Sequence, residues 1–294
     1  MNVLIIGAEG QLGQDLNAIY AECTRHRADL DGDGHILDIR DADAVRALIL
    51  DTVKPELVIN VAAAHNVPLC EQDPGLAFAV NATGARNLAV ACTEIGARLV
   101  HVSTDYVFGD GATEPLVETD LPQPLSVYAA SKLAGEHLIA SVCADHIIVR
   151  TAAIYGKAAC RAKGGRNFIG TMLHLAATRP EVKVVTDEIT TPTYTLALAK
   201  QMRLLAEKGE PGLYHTTCQG ACSWFEFAQA IFEETGTKTK LVPTTSSEFQ
   251  SPVRRPSYSV LENKHAKDLG LDIMPPWREG LRDYLKETAQ AISP

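Results

Sequence analysis

No stretch of this chain reaches the roughly 18 uninterrupted apolar residues that a membrane-crossing helix needs. Its start, Met1 followed at once by Asn2-Val3-Leu4-Ile5-Ile6-Gly7, lacks the basic region and long apolar core of an export signal, so a cytoplasmic protein is expected. Basic charge is in short supply: 27 Lys and Arg stand against 36 Asp and Glu, a formal net charge of −9. That balance argues against a nucleic-acid or anionic-membrane surface, and any phosphate site must be built locally. The seven cysteines, Cys23, Cys70, Cys92, Cys143, Cys160, Cys218 and Cys222, are odd in number and show no paired C-x-x-C spacing for zinc. Reduced thiols, mostly in the core, are expected. Repeats and low-complexity tracts are missing too, and 46% hydrophobic content can fill one large core or two unequal ones.

Tyr128-Ala-Ala-Ser-Lys132 organises the rest. It sets a phenol and an ammonium four residues apart, on one face of what reads as a helix. A positive charge beside a phenol favours the phenolate and lowers its pKa, which makes Tyr128 a usable proton donor for a carbonyl near neutral pH.

The first half alternates strand and helix. Val3 to Ile6 is an apolar run ending in Gly7-Ala8-Glu9-Gly10-Gln11-Leu12-Gly13, and helical spacing follows through Leu16, Ile19 and Tyr20. Such a turn lets backbone approach a pyrophosphate, which the free N–H groups and positive dipole end of the helix then hold. Asp29, Asp31 and Asp33 fall where an acidic residue would meet the adenosine ribose. The polar stretch from Arg25 to Gly34 mixes both charge signs, which fixes neither the register of the second strand nor the choice between NADH and NADPH. Asp38-Ile39-Arg40-Asp41 leads into a helix through Val45, Leu48 and Ile49, closed by Pro55, and Leu57 to Val61 reads as a buried strand. Its end, Asn60-Val61-Ala62-Ala63-Ala64, is small enough for a cofactor to lie across it. Asp73-Pro74 starts a helix that passes Asn81, Leu88 and Cys92 and stops at Gly96. The strand Leu99 to Val102 then delivers Ser103-Thr104-Asp105-Tyr106 at its carboxyl end, where ligands of open α/β sheets sit. After a Gly/Pro/Asp-rich loop over 109–126 come the helix of Tyr128 and Lys132 and the strand His146 to Arg150.

This order predicts an α/β fold, a Rossmann-type doubly wound parallel sheet over residues 1–155, with 156–294 mainly a smaller α+β substrate lobe. Parts of 181–240 are expected to pack back on the sheet, among them a helix over Thr193 to Ala206. A loop carries Lys157, Arg161, Lys163 and Arg166, suited to a diphosphate or simply solvated. A helix from Asn167 to Arg179 ends at Pro180, and Ser223-Trp224-Phe225-Glu226 reads as a capping box. Val253-Arg254-Arg255-Pro256-Ser257-Tyr258 places two arginines in a proline-bounded loop that suits bidentate phosphate binding.

Taken together, these residues resemble the extended short-chain dehydrogenase/reductases, and among them the sugar-nucleotide 4-ketoreductases. The resemblance covers nearly the whole chain. It rests on Gly7 to Gly13, on Ser103 to Phe108, on Tyr128 to Lys132 with Leu133-Ala134-Gly135-Glu136, and on Arg150-Thr151. It continues in Asn167-Phe168, Thr171-Met172-Leu173, Asp187 with Pro192-Thr193, Gly212-Leu213-Tyr214-His215, Ser223 to Ala228, and Arg255-Pro256 with Ser259. It implies NAD(P)H-dependent reduction of the 4-keto group of dTDP-4-dehydrorhamnose, with NADPH as cofactor and NADH as the alternative. Tyr128 would protonate the keto oxygen, Lys132 would tune the tyrosine and hold the nicotinamide ribose, and Thr104 would hydrogen-bond the same oxygen. Gly7, Gly10, Gln11, Leu12, Gly13, Asp38, Ile39, Ala62, Ala63, Ala64 and Asn81 would join Tyr128 and Lys132 around the cofactor. Thr104, Asp105, Tyr106, Asn167 and Arg255 would meet the nucleotide sugar. Asp105-Tyr106 lacks the glutamate of the related 4,6-dehydratases, so simple reduction is implied. Where the family usually has tryptophan this chain has Ala153, and the usual Val-Asp reads Val67-Pro68. A reductase or epimerase of another NDP-4-keto-sugar is therefore the nearest alternative, and a non-catalytic NADP-binding regulatory subunit similar to that of methionine adenosyltransferase the next. Some members hold Mg²⁺ through glutamates; Asp15 could match one, Leu196 stands where another would be, and no metal is expected. A homodimer is a family-level expectation.

Overall fold

The structure is a computed structural model and describes residues 1–160, 164–249 and 253–290. Its first half is built from β1 (Asn2–Ile6), α1 (Gln11–Ile19), β2 (Thr24–Asp29), β3 (His35–Ile36), α2 (Ala42–Arg46), β4 (Leu57–Asn60), α3 (Val67–Gln72), α4 (Pro74–Phe78), α5 (Ala85–Ile95), β5 (Arg98–Thr104), α6 (Val127–Val142) and β6 (His146–Thr151). Later come β7 (Ile154–Tyr155), α7 (Phe168–Thr178), β8 (Glu181–Val185), β9 (Ile189–Thr190), β10 (Thr193–Tyr194), α8 (Thr195–Lys208), β11 (Gly212–His215), β12 (Cys222–Ser223), α9 (Trp224–Thr235), β13 (Lys240–Thr244), α10 (Lys264–Asp268) and α11 (Trp277–Gln290).

Seven strands make one sheet in the order β11-β6-β5-β4-β1-β2-β3, every neighbour parallel. Because successive strand residues point to opposite faces, the apolar runs divide in two. Val3, Ile5, Leu57, Ile59, Val100, Ile147 and Val149 enter one core with α1, α8 and α9. Leu4, Ile6, Val58, Leu99 and Ile148 enter the other, under α2, α5 and α6. Helices on both faces make the sheet doubly wound, as the sequence predicts. The first core also runs on into the second half, through Tyr155, Tyr194, Phe227, Trp277 and Tyr284.

The later elements hold two surprises for sequence reasoning. The expected helix over Thr193 to Ala206 begins two residues later, because Thr193 and Tyr194 pair with Ile154 and Tyr155 as a short parallel ladder. Gly212 to His215 form a strand that extends the central sheet beside β6. The capping box of α9 forms as read, Ser223 and Glu226 each accepting from the other's backbone N–H, and Gly236 ends the helix at φ 67°. Around α6 two glycines permit close approach. A Cβ on Gly135 would lie 2.2 Å from the Asn81 carbonyl oxygen, and one on Gly84 would lie 2.6 Å from Ile39, so α6 sits directly against the 79–84 segment. Among the described residues no helix is long and apolar enough to cross a membrane.

Candidate active site

The glycine turn between β1 and α1 shows why its three glycines differ. Gly7 has φ 81°, and a Cβ there would lie 2.6 Å from the Ala62 nitrogen. At Gly13 a Cβ would lie 2.3 Å from the Gly7 carbonyl oxygen. Both are required by the protein's own packing. Gly10 is not: its Cβ would meet only the Gly7 oxygen, at 3.4 Å. Gly10 is also the N-cap of α1, no side chain caps that end, and no acidic residue lies in the first turn. The main-chain N–H groups at Gln11, Leu12 and Gly13 therefore begin a nine-residue helix whose positive end is open to an anion. Gln11's side chain turns away to the carbonyl oxygens of Gly156 and Ala158, at 2.9 and 3.0 Å. Asp29 ends β2 and accepts the Glu9 N–H at 2.9 Å, which puts a carboxylate beside the turn. Arg27 pairs with Glu9 and with Asp33, so the mixed charges that obscured β2 in the sequence neutralise one another here.

The small residues after β4 form a shelf facing this turn. Ala62 N–H donates to Asn60 Oδ1 at 3.1 Å, and Ala64 N–H donates to Asn81 Oδ1 at 2.9 Å. Asn81 returns a bond to the Ala64 oxygen and another to Ser131 Oγ, each 3.0 Å. Its amide is engaged on every side and buried, so Asn81 braces the shelf against α6 instead of extending a hand to a ligand. Asp38 is held by the Arg40 guanidinium, which keeps its carboxyl below the usual range, and Ile39 is buried against Gly84.

The reacting groups stand at the end of β5 and the first turns of α6. Ser126 caps α6 by accepting the Ala129 N–H at 3.2 Å, and Glu71 from α3 accepts the Val127 N–H at 2.7 Å. Thr104 Oγ1 donates to Asp105 Oδ1 at 3.0 Å and accepts the Tyr106 N–H at 3.2 Å. It also hydrogen-bonds the Tyr128 phenol, while Tyr106 meets that ring edge-on with centroids 6.2 Å apart. The expectation that Lys132 lowers the Tyr128 pKa is corrected by the structure. Burial pushes the phenol up, past the opposing pull of Thr104, and Lys132 points its Nζ at the Val102 oxygen, 2.6 Å away, and at His101. A raised pKa still suits a proton donor, which must keep its proton until charge develops on the acceptor. Burial pushes Asp105 up to about 6, against hydrogen bonds from Ser259 and Thr104.

On the substrate side, Asp110 at the head of the 109–126 loop pairs with Arg254 at 2.9 Å and accepts the Ser257 N–H at 3.0 Å. This fastens the 253–259 segment beside β9, where Ser257 and Ser259 bracket Ile189 through backbone bonds. Arg255 is exposed there, and its charge acts on Tyr106 and on the half-buried Glu188. Asn167 is the N-cap of α7, its Oδ1 accepting the Gly170 N–H, and its Nδ2 donates to the Gly156 oxygen and Tyr284 Oη. These bonds tie the start of α7 to Gly156 and to α11. Ala153 holds φ 45°, a strained value for alanine, just past the end of β6. Arg161 and Lys163 lie outside the described residues.

Sequence reasoning passed over several groups in this site. His101 and Asn60 sit side by side in register on β5 and β4, and Glu136 forms a buried, bidentate pair with Arg150 one turn beyond Lys132. The available signal was polarity in otherwise apolar strands, as in Leu99-Val100-His101-Val102.

The chain is 40% identical over 290 residues to the spore coat polysaccharide biosynthesis protein SpsK of Bacillus subtilis (strain 168), with 98% of each chain covered. It is 34% identical over 301 residues to a dTDP-4-dehydrorhamnose reductase of Escherichia coli (strain K12), again with 98% of each covered. A solved dTDP-4-dehydrorhamnose reductase of Bacillus anthracis, in complex with NADP, superposes with a TM-score of 0.91 at 37% identity, covering 97% of this chain and 98% of that one. The family model described as the RmlD substrate binding domain matches residues 1–290, and the chain belongs to that family.

Proposed function

We propose that this protein reduces the 4-keto group of dTDP-4-dehydrorhamnose to give dTDP-L-rhamnose, using NADPH, in the assembly of surface polysaccharide. The observation that carries the reading is the convergence of Thr104, Tyr128 and Lys132 at the end of β5, across the alanine shelf from the open N-terminus of α1. The NADP-bound relative from Bacillus anthracis and the reductase from Escherichia coli support it.

Gly10 leaves room for a pyrophosphate on the N–H groups of α1, Asp29 faces the ribose, and Lys132 holds the nicotinamide end. Bound there, the reduced nicotinamide supplies a hydride. As negative charge gathers on the keto oxygen, Tyr128 gives it a proton, and Thr104, whose one hydroxyl hydrogen otherwise goes to Asp105, turns it to the same oxygen. Tyr106 and Arg255 bound the opposite wall, Arg255 matching a diphosphate. Residues 1–155 then serve the cofactor, with α8 and β11 packed back on that sheet, and 156–294 mainly serve the nucleotide sugar. We place the reaction in the cytoplasm and carry over a homodimer from the family, which light scattering of the purified protein checks.

Tyr128→Phe removes the proton donor and leaves the ring. Turnover of dTDP-4-dehydrorhamnose is expected to fall on the order of 10²–10⁴-fold with NADPH affinity unchanged. Unchanged turnover in that variant contradicts the mechanism. The strained Ala153, where the family usually carries tryptophan, favours a second reading in which another NDP-4-keto-sugar is preferred. Relative kcat/KM across nucleotide sugars decides between them.

A further inference from the structure

Lys132 ends a buried row of hydrogen bonds that none of the roles above uses. Its Nζ lies 3.1 Å from His101 Nε2, His101 Nδ1 lies 2.9 Å from Asn60 Nδ2, and Asn60 Oδ1 accepts the Ala62 N–H at 3.1 Å. Asn60, His101 and Lys132 are 1–2% exposed. Donor and acceptor chemistry orders the row. A main-chain N–H can only donate, so the amide oxygen of Asn60 faces Ala62 and its NH₂ faces the imidazole. Nδ1 therefore accepts, and neutral His101 carries its one proton on Nε2, aimed at Lys132. An ammonium has three N–H bonds and no lone pair. Against an ammonium, the Nε2–H would meet another donor. Against a neutral amine it finds an acceptor, and the amine still donates to the Val102 oxygen. A charged Lys132 is accommodated only if the imidazole proton moves to Nδ1 and the Asn60 amide turns over, which strands the Ala62 N–H against an NH₂ group on the cofactor shelf.

We propose that His101, held by Asn60, is a positioning residue that stabilises the unprotonated amine of Lys132 and so sets the pH at which Lys132 loses its charge. The other groups around that amine do not supply this. From α6, Tyr128 and Glu136 lie one turn to either side; from β5 there is the Val102 carbonyl; from β6, Arg150 takes both oxygens of Glu136, with Ser103 bonded to the same carboxylate. Glu136 pulls Lys132 toward its charged form, yet burial prevails and holds Lys132 down at about 8, while His101 stays well below its ordinary value and hence neutral. The loss of the positive charge with which Lys132 holds the nicotinamide end then marks the alkaline limit of turnover, a consequence that rests on the function proposed above.

The test uses the full chain with lysine labelled at Cε, whose carbon NMR shift follows protonation, and the Lys132 resonance is identified by its loss in Lys132→Met. In the wild-type protein this resonance is expected to titrate well below the ordinary lysine value of about 10.4. His101→Gln and His101→Phe each remove the Nε2–H, and Gln can also offer an oxygen to the ammonium. Both are expected to raise the midpoint by about one pH unit, and the alkaline limb of kcat should move up with it. An ordinary wild-type midpoint, or a midpoint unmoved in a folded variant whose kcat falls equally at every pH, overturns the proposal. Because the titration needs no turnover, failure to reduce the keto-sugar counts against the proposed function and leaves this inference to the NMR result.

Discussion

Asp105 shows how one side chain can serve a site at the expense of the fold. Its carboxyl is 3% exposed and rises from 3.8 to about 6. A raised acid binds more protons folded than unfolded between those two values, so its stabilising share is complete below pH 3.8 and is lost as pH rises through 6. Above that, the buried carboxylate costs about 3 kcal/mol. Asp105→Asn is therefore expected to raise the melting temperature relative to wild type by more at pH 7 than at pH 4. Equal shifts at the two pH values in thermal denaturation contradict this. Legibility at this scale was uneven. Thr104, Tyr128 and Lys132 were readable because spacing on a helix or at a strand end fixes where a side chain goes. Asn167 and Asn81 were less so, because an amide bonds backbone as readily as ligand, and only three-dimensional packing says which partner is near.

Elements were the most readable level, and the glycine turn shows why. Apolar runs bounded by glycine and proline fixed β1, β4, β5 and β6, since strands buried on both faces read as continuous hydrophobic runs. β2 escaped that logic because of its six residues only Ala28 is buried, and its charged Arg27 is paired with Glu9 and Asp33 instead of being packed in a core. The short ladder of β7 with β10 also escaped, since two-residue strands leave no periodicity to detect. The glycine turn allows a separation of folding from binding. Gly13→Ala forces a Cβ to 2.3 Å from the Gly7 oxygen and is expected to destabilise by roughly 1–3 kcal/mol. Gly10→Ala meets only an ordinary contact at 3.4 Å, so denaturant midpoints should match wild type, while NADPH affinity drops about tenfold as the methyl crowds the pyrophosphate. Equal loss of stability in both variants, measured by urea unfolding, contradicts the distinction.

Over the whole molecule, buried histidines govern the acid side of stability. Burial lowers His215 from 6.5 to about 3, with the Arg150 charge adding to it, and holds His101 well below 6.5. A lowered base gives stability that is present above the unfolded value and lost as pH falls from 6.5 toward the folded one. Each contributes a slope of up to about 1.4 kcal/mol per pH unit. Asp105 titrates with the opposite sign, at and below about 6, and Asp15 and Glu188, both raised by burial, share that sign. Stability is thus expected to begin falling just under pH 6.5 and to flatten further down. A urea midpoint constant from pH 7 to 5 contradicts that account. The end of regular strand-helix alternation near residue 155 is readable in the sequence, as is a return of part of 181–240 to the sheet. That β11 is the returning strand was not, because the run Gly212-Leu213-Tyr214-His215 is too short to declare which sheet it joins.

The most direct test of the central claim follows reduced-nicotinamide absorbance in purified protein given NADPH and dTDP-4-keto-6-deoxyglucose together with a 3,5-epimerase. The account predicts rapid oxidation that requires the epimerase, prefers NADPH to NADH, and is abolished in Tyr128→Phe. No oxidation by a protein shown separately to bind NADPH would contradict it.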